Sequence, residues 1–157
     1  PQNPKTPSQW KSMSFIKIYF EFKMINKASA KIGWIGTGVM GNSMAQHLIN
    51  NGYNLSVFTR TKSKAQNLIS MGATYIDTPQ ELASSVDYVF MMVGYPKDVE
   101  SLLYSNENGI LDHIRPNSYF IDHTSSSPGL AIRIAEDLAT RGVKSIDAPV
   151  SGGDIGA

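Results

Sequence analysis

The stretch that decides the fold is IGWIGTGVMG, residues 32–41, with glycines at Gly36, Gly38 and Gly41. It joins an apolar run to a segment with helical spacing, and G-x-G-x-x-G between a strand and a helix is typical of dinucleotide binding. The first glycine permits a tight turn, the second lets backbone approach a pyrophosphate, and the third lets the helix pack on the strand. The positive helix N-terminus then faces the phosphates. We predict a dinucleotide site here, against the alternative of a glycine-rich turn without a ligand.

The chain after this turn alternates short apolar runs with amphipathic stretches, a pattern typical of βαβ units. The predicted strands are residues 31–35, 54–59, 73–76, 88–93, 118–122 and 145–147. The predicted helices are residues 39–50, 63–71, a short one after Thr78, 96–103 and 128–141. Thr78-Pro79-Gln80-Glu81 offers a capping box with Pro at the first helical position. The predicted fold is α/β, a Rossmann-type doubly wound parallel sheet with helices on both faces.

Composition narrows the class of protein. The chain has 157 residues, 41% of them apolar, with 14 Lys and Arg against 13 Asp and Glu and no Cys. A net charge of +1 without basic runs argues against a nucleic-acid partner, and no apolar stretch is long enough for a membrane span. The absence of Cys excludes disulfides and thiolate metal sites, and no His, Asp or Glu spacing predicts a metal site.

The two ends differ from the rest of the sequence. We predict an N-terminal extension at residues 1–30, a nucleotide-binding domain at 31–150 and the start of a connection to a further domain at 151–157. The extension has three prolines and several lysines, and it could be disordered, a targeting segment or non-native sequence. A mitochondrial and a cytoplasmic location both stay open.

The end of the second predicted strand bears on the choice of cofactor. An NAD-specific site usually places Asp or Glu here to hold the ribose hydroxyls, whereas this chain has Thr59-Arg60-Thr61. The guanidinium of an arginine makes charge-assisted hydrogen bonds to the 2′-phosphate of NADP. No carboxylate stands at this point of the sequence to repel that phosphate. We therefore favour NADP over NAD as the cofactor, the alternative being a solvated Arg60.

Three segments together resemble one family. Residues 33–45 (GWIGTGVMGNSMA), 93–99 (VGYPKDV) and 147–153 (DAPVSGG) are similar in order and spacing to the β-hydroxyacid dehydrogenases, especially plant-type 3-hydroxyisobutyrate dehydrogenase-like proteins. The resemblance implies an N-terminal cofactor domain followed by a helical C-terminal domain that supplies the catalytic lysine and supports a homo-oligomer. We expect that second domain to be absent from this sequence, so no catalytic residue is named.

The residues and the resemblance together give a set of candidate site positions. The candidates for cofactor binding are Gly36, Thr37, Gly38, Val39, Met40, Gly41, Thr59, Arg60, Thr61, Val93, Gly94, Asp98, Thr124 and Ser125. The resemblance implies that Ser151, Gly152 and Gly153 bind the substrate carboxylate; the alternative is a plain loop. It also implies that the turn from Val93 to Asp98 lines the nicotinamide side and that Thr124 and Ser125 contact the nicotinamide. Asp98 could equally be an acid that offsets the helix dipole.

The histidines carry no predicted catalytic role. Asp122, His123 and Thr124 are adjacent on an extended segment, so their side chains cannot converge as a triad. We expect His123 to be packed or solvated, and His47 and His113 to be surface residues.

The predicted function follows from the cofactor site and the resemblance. We expect the cofactor-binding domain of an NAD(P)-dependent oxidoreductase that acts on short 3-hydroxy acids or the matching semialdehydes. An NADPH-dependent glyoxylate or succinic semialdehyde reductase is one alternative, and a non-catalytic nucleotide-binding module is another.

Overall fold

A computed structural model describes residues 26–27 and 29–153. The described strands are β1 (Ile32–Ile35), β2 (Leu55–Phe58), β3 (Thr74–Tyr75), β4 (Tyr88–Met91), β5 (Tyr119–Asp122) and β6 (Lys144–Asp147). They form one parallel sheet in the order β3-β2-β1-β4-β5-β6. The helices are α1 (Val39–Asn50), α2 (Gln66–Ser70), α3 (Pro79–Ser85), α4 (Pro96–Tyr104) and α5 (Pro128–Ala139), with a 3-10 turn at Lys62–Ala65 before α2.

The helices cover the two faces of the sheet, as the alternating pattern predicts. On one face, Ala45 of α1 and Leu68 of α2 pack with Trp34 and Val57 of the sheet. On the other face, apolar residues of α3, α4 and α5 pack against β4 and β5. The buried residues of this cluster include Leu82, Val99 and Leu138 on the helices and Val89 and Phe120 on the strands. The doubly wound α/β fold is therefore confirmed.

The helix ends follow the local chemistry of the sequence. Thr78 accepts a hydrogen bond from the Glu81 backbone N–H at 3.2 Å, and Pro79 occupies the first position of α3. The three glycines that follow predicted helices, Gly52, Gly72 and Gly142, all have positive φ, which favours glycine at a helix C-terminus. The segment predicted as a helix from residue 63 instead begins as the 3-10 turn.

Some element boundaries differ from the prediction. The strand predicted at residues 88–93 ends at Met91, because the Val93 N–H donates to the hydroxyl of Thr124 instead of continuing the ladder. The helix predicted to reach residue 141 ends at Ala139. Most of the predicted extension at 1–30, and residues 154–157 of the predicted connection, lie outside the described residues, so those boundaries stay predictions.

The sheet order fixes where a ligand can bind. The chain leaves β1 toward β2 and β3 on one side and returns to β4, β5 and β6 on the other. In such sheets the carboxyl ends of the two strands at the reversal leave a crevice between their loops. That crevice lies after Ile35 and Met91, where the glycine turn and the turn before α4 meet.

Candidate cofactor site

A cavity of about 460 Å³ opens at the carboxyl ends of β1, β2 and β4. Eleven of the fourteen predicted cofactor positions line it: Gly36, Thr37, Gly38, Val39, Met40, Gly41, Thr59, Arg60, Thr61, Val93 and Gly94. Its walls also include Lys64, which the prediction did not contain, and apolar side chains such as Phe58. The structure thus brings together, at one edge of the sheet, residues from three separate segments of the sequence.

The glycine turn has the backbone geometry that its sequence predicts. Gly36 has a φ of +95°, and a Cβ added there would overlap the Met92 carbonyl. A Cβ at Gly41 would overlap the carbonyl of Gly36, which packs the start of α1 closely on the turn. At Gly38 an added Cβ meets no atom within 4 Å. Two of the glycines are therefore required by the fold, and the third faces open space where a ligand can approach the backbone.

A buried indole supports this turn from beneath. Trp34 is 2% exposed, and its Nε1 donates a hydrogen bond to the Gly36 carbonyl at 2.8 Å. This contact fixes the carbonyl that follows β1 and so helps to set the direction of the turn. No role is predicted for Trp34 from the sequence. The feature that could have indicated this contact is an aromatic side chain with an N–H donor two residues before Gly36.

The start of α1 presents hydrogen-bond donors to the cavity. No side chain among the described residues caps α1 at Gly38, whereas Thr78 caps α3 and Ser127 caps α5. Thr37 is 4% exposed, and its buried hydroxyl has no hydrogen-bond partner in the structure. Free first-turn N–H groups and an unpartnered hydroxyl are the donors that bind phosphate at a helix N-terminus. The turn therefore fits a pyrophosphate.

The basic edge of the cavity lies at the end of β2. The Arg60 side chain is 83% exposed, and its Nη2 lies 3.6 Å from Oδ1 of Asp98. Asp98 lines a second cavity of about 340 Å³, which shares Phe58, Thr59, Arg60, Val93 and Leu102 with the first. The first turn of α4 brings the Asp98 carboxylate to the Arg60 edge. That the turn from Val93 to Asp98 lines the nicotinamide side stays a prediction.

Thr124 is buried between the ends of two strands, and its predicted contact with the nicotinamide stays a prediction. It is 1% exposed, its Oγ1 accepts a hydrogen bond from the Val93 N–H at 3.1 Å, and its own N–H donates to Asp122 at 2.9 Å. The hydroxyl thus ties the end of β4 to the end of β5 inside the protein and does not line the cavity. Ser125 is exposed and lies outside the cavity wall.

Asp122, the last residue of β5, is a buried carboxylate at the carboxyl edge of the sheet. It is 5% exposed, and burial raises its pKa above the usual range, while the hydrogen bonds from Thr124 act in the opposite direction. Asp147 is its register partner on β6, and the negative charge of Asp147 raises the pKa further.

His123 is packed, which is one of the two environments expected from the sequence. Its ring stacks with Trp34 and Phe90 at centroid distances of 5.9 and 5.8 Å, and its Nδ1 lies 2.9 Å from the Ala148 carbonyl. Because a carbonyl can only accept, Nδ1 carries the proton in this contact. His47 and His113 are exposed.

The loop after β6 contains the predicted substrate-binding residues. Ser151, Gly152 and Gly153 are exposed, and the two glycines have φ of +121° and +61°. They follow the carboxyl end of β6, at the same edge of the sheet as the glycine turn.

Metal sites and membrane spans are two further features to consider in the described part of the chain. Between residues 26 and 153, residue 28 excepted, no cluster of three or more His, Asp or Glu side chains could hold a metal ion. None of the helices there has both the length and the apolar character needed to span a membrane.

Comparison with known proteins places the chain in a family. Residues 31–157 match the model of the NAD binding domain of 6-phosphogluconate dehydrogenase. The chain belongs to this family. It is 51% identical over 134 residues to probable 3-hydroxyisobutyrate dehydrogenase-like 1, mitochondrial, of Arabidopsis thaliana, covering 85% of this chain and 40% of the relative. It is 48% identical over 126 residues to uncharacterized oxidoreductase YkwC of Bacillus subtilis, covering 80% and 43%.

Solved structures agree with these relatives. The 3-hydroxyisobutyrate dehydrogenase of Mycobacterium tuberculosis with L-serine superposes with a TM-score of 0.74 at 27% identity, covering 82% of this chain and 43% of that one. Psf3 in complex with NADP+ and 2-OPP gives a TM-score of 0.76 at 26% identity, covering 80% and 44%. The chain therefore spans less than half the length of these relatives. Its resemblance to the cofactor domain of the β-hydroxyacid dehydrogenases is confirmed, and so is an NAD(P)-binding domain.

Proposed function

We propose that this chain is the cofactor-binding part of an NAD(P)-dependent oxidoreductase that acts on short 3-hydroxy acids. One observation carries the proposal: a single cavity joins the open backbone at Gly38 and the N-terminus of α1 to the guanidinium of Arg60. A nicotinamide dinucleotide bound here would supply the hydride acceptor or donor. The chain's own part is to bind the pyrophosphate at the glycine turn and the adenosine ribose at the end of β2.

The preference for NADP is part of this proposal. Arg60 and Lys64 line the cavity at the end of β2, and no Asp or Glu stands among residues 59–66. Calorimetric titration with NADPH and NADH, repeated on Arg60→Ala, tests it. We expect tighter binding of NADPH and loss of that preference in the variant. Preference for NADH in the unmodified chain would contradict the role given to Arg60.

The substrate proposal depends on the loop after β6. Exposed N–H groups at Gly152 and Gly153, together with the Ser151 hydroxyl, would form a cradle for a carboxylate. L-serine, which the Mycobacterium tuberculosis enzyme holds, has both a carboxylate and a hydroxyl on carbon 3. By resemblance, the proton on the substrate hydroxyl would be handled by a lysine of a second domain.

Turnover would be measured on a protein extended to the length of the relatives. Ser151→Ala in that protein is expected to raise KM for 3-hydroxyisobutyrate about tenfold, because a hydrogen bond to a charged group is worth about 1.5 kcal/mol or more. An unchanged KM would remove Ser151 from the substrate site. Comparing oxidation of 3-hydroxyisobutyrate with reduction of glyoxylate and succinic semialdehyde would separate the dehydrogenase from the alternative reductase.

A non-catalytic role is the second candidate, and one relative favours it. The chain is 34% identical over 122 residues to the cytokine-like nuclear factor N-PAC of Xenopus tropicalis, covering 78% of this chain and 23% of that protein. Nucleotide binding by the extended protein without turnover of any of the three substrates would support this candidate.

The proposal also covers location, assembly and domain boundaries. Three Arabidopsis thaliana relatives have "mitochondrial" in their names, which supports a mitochondrial over a cytoplasmic location. Cell fractionation tests this. We also propose that the extended protein is a homo-oligomer, which light scattering measures. Limited proteolysis tests the boundaries near residues 30 and 150.

A further inference from the structure

The Arg60 edge of the cofactor site contains a carboxylate that does not come from β2. Asp98 lies in the first turn of α4, and its side chain is only 18% exposed. Its backbone N–H donates to the Tyr95 carbonyl at 2.9 Å, and Pro96 fixes the start of the helix. Arg60 extends from the end of β2 with 83% of its side chain exposed. The carboxylate is therefore held by a helix, while the guanidinium is free to change rotamer.

The neighbouring cation Lys62 has a partner of its own. Lys62 lies 3.8 Å from a carboxylate oxygen of Asp77, and its Nζ stands 4.4 Å from the centre of the Tyr75 ring. Asp98 is paired with Arg60 instead. Arg60 and Asp98 line the same second cavity, which has five lining residues in common with the cavity at the glycine turn.

We propose that Asp98 and Arg60 together let one site accept both NAD and NADP. In this proposal Asp98 accepts hydrogen bonds from the adenosine ribose hydroxyls of NAD, the role usually filled by a carboxylate at the end of β2. Arg60 turns away from Asp98 to pair with the 2′-phosphate of NADP. The inference rests on the proposed function, because it assigns specificity within that same cofactor site.

Asp98 has opposite effects on the affinities for the two cofactors, whereas Arg60 affects mainly the affinity for NADP. With NADP bound, Asp98 competes with the phosphate for Arg60 and repels its negative charge, so Asp98 weakens NADP binding. With NAD bound, Asp98 is an acceptor for a hydroxyl, and Arg60 adds little. Removing the negative charge at Asp98 should therefore change the two affinities in opposite directions, which a purely structural acid in a helix would not do.

The test is calorimetric titration of the chain with NAD+ and with NADP+. In Asp98→Asn we expect NADP+ to bind about threefold to fivefold tighter, because exposed ion pairs are worth up to about 1 kcal/mol. We expect NAD+ to bind about fivefold to tenfold weaker, because a hydrogen bond to a charged carboxylate becomes a weaker one to a neutral amide oxygen. In Arg60→Ala we expect NADP+ to weaken and NAD+ to change by less than about twofold. Competition with 2′,5′-ADP should follow the NADP+ result.

Glu100→Gln is the matched control. It removes the same charge from the same helix, but Glu100 pairs with Arg133 at 2.9 Å and does not line the shared cavities. We expect its affinities to match those of the unmodified chain. If Asp98→Asn lowers the Tm, Asp98→Ser keeps a small polar side chain in the first helical turn and should give the same opposite shifts.

The outcomes separate this inference from the proposed function. Opposite shifts in Asp98→Asn, absent in Glu100→Gln, would support the pairing. Equal weakening of both cofactors, or no change while Arg60→Ala still loses NADP+, would overturn the inference and leave the cofactor site intact. Failure of every form to bind either dinucleotide would overturn the proposed function and the inference with it.

Discussion

Gly38→Ala should weaken cofactor binding strongly while leaving the fold intact. An added Cβ there meets no atom within 4 Å, and the φ of −66° at this residue suits alanine. Alanine reduces the entropy of the unfolded chain, worth about 0.4–1 kcal/mol, but it is a poorer N-cap than glycine by a similar amount. We therefore expect the free energy of unfolding to change by no more than about 0.5 kcal/mol.

The affinity should change far more, because the methyl group would occupy the space through which a pyrophosphate reaches the backbone. Loss of a hydrogen bond to a charged phosphate is worth about 1.5–3 kcal/mol, or a tenfold to hundredfold weaker Kd for NADP+ and NAD+ alike. Urea unfolding gives the stability and calorimetric titration gives the Kd. A folded Gly38→Ala variant that binds NADP+ as tightly as the unmodified chain would refute the role of this turn.

Gly36→Ala is the contrasting variant. At a φ of +95°, a Cβ would overlap the Met92 carbonyl oxygen and lie 2.9 Å from its carbon, closer than the optimal separation of about 3.5 Å. Backbone strain of about 1–2 kcal/mol and steric overlap of about 1–3 kcal/mol add to a loss of about 2–5 kcal/mol in stability. An equal free energy of unfolding for Gly36→Ala and Gly38→Ala would contradict the positive φ of Gly36 and its close contact with the Met92 carbonyl.

Three further predictions concern stability. Tyr104→Phe removes the 2.8 Å hydrogen bond from the phenol to Asp137, and it should lower the free energy of unfolding in urea by about 1 kcal/mol. In the unmodified chain, burial raises the pKa of Tyr104 to about 12. Ultraviolet titration should therefore show one phenol that ionises near that pH and not near 10. Burial raises the pKa of Asp122. Between the ordinary pKa of an Asp and this raised value, the folded state keeps a proton that the unfolded chain has released. The contribution of Asp122 to stability therefore falls as the pH rises through this range. Asp122→Asn should remove that part of the pH dependence, and Tm values measured from pH 4 to pH 7 that fall just as steeply in the variant would contradict it. Thr78→Ala should cost about 1 kcal/mol through loss of the α3 cap, whereas Thr78→Ser should keep the cap and nearly all of the stability.

The parts of the fold that the sequence predicts are those set by local chemistry. Gly52, Gly72 and Gly142 end helices because positive φ is inexpensive for glycine, and each is visible in the sequence without any tertiary contact. The glycine turn is predicted for the same reason, since Gly36 has a positive φ and Gly41 lies against the Gly36 carbonyl five residues before it. The contact between Gly36 and the distant Met92 carbonyl is visible only in the structure.

Contacts between distant segments set the features that the sequence does not predict. The end of β4 depends on the hydroxyl of Thr124, which is 31 residues away from Val93 in the chain. From the sequence, Thr124 is a polar residue after an apolar strand, and this pattern fits a contact with a ligand as well as it fits a hydrogen bond inside the protein. Only the placement of β5 beside β4 turns the hydroxyl inward to the Val93 N–H.

Asp98 shows why a rule based on sequence distance misjudges this cofactor site. The rule looks for a carboxylate at the end of β2, and Arg60 stands there instead. In the sheet, however, β2 and β4 flank β1 on its two sides, so the segments that follow them converge over the carboxyl end of β1. A carboxylate in the helix after β4 can therefore reach the same place as one after β2, and the 3.6 Å distance between Asp98 and Arg60 is the result. The preference for NAD or NADP in such a fold is set by all charges that meet at this edge, whichever strand they follow.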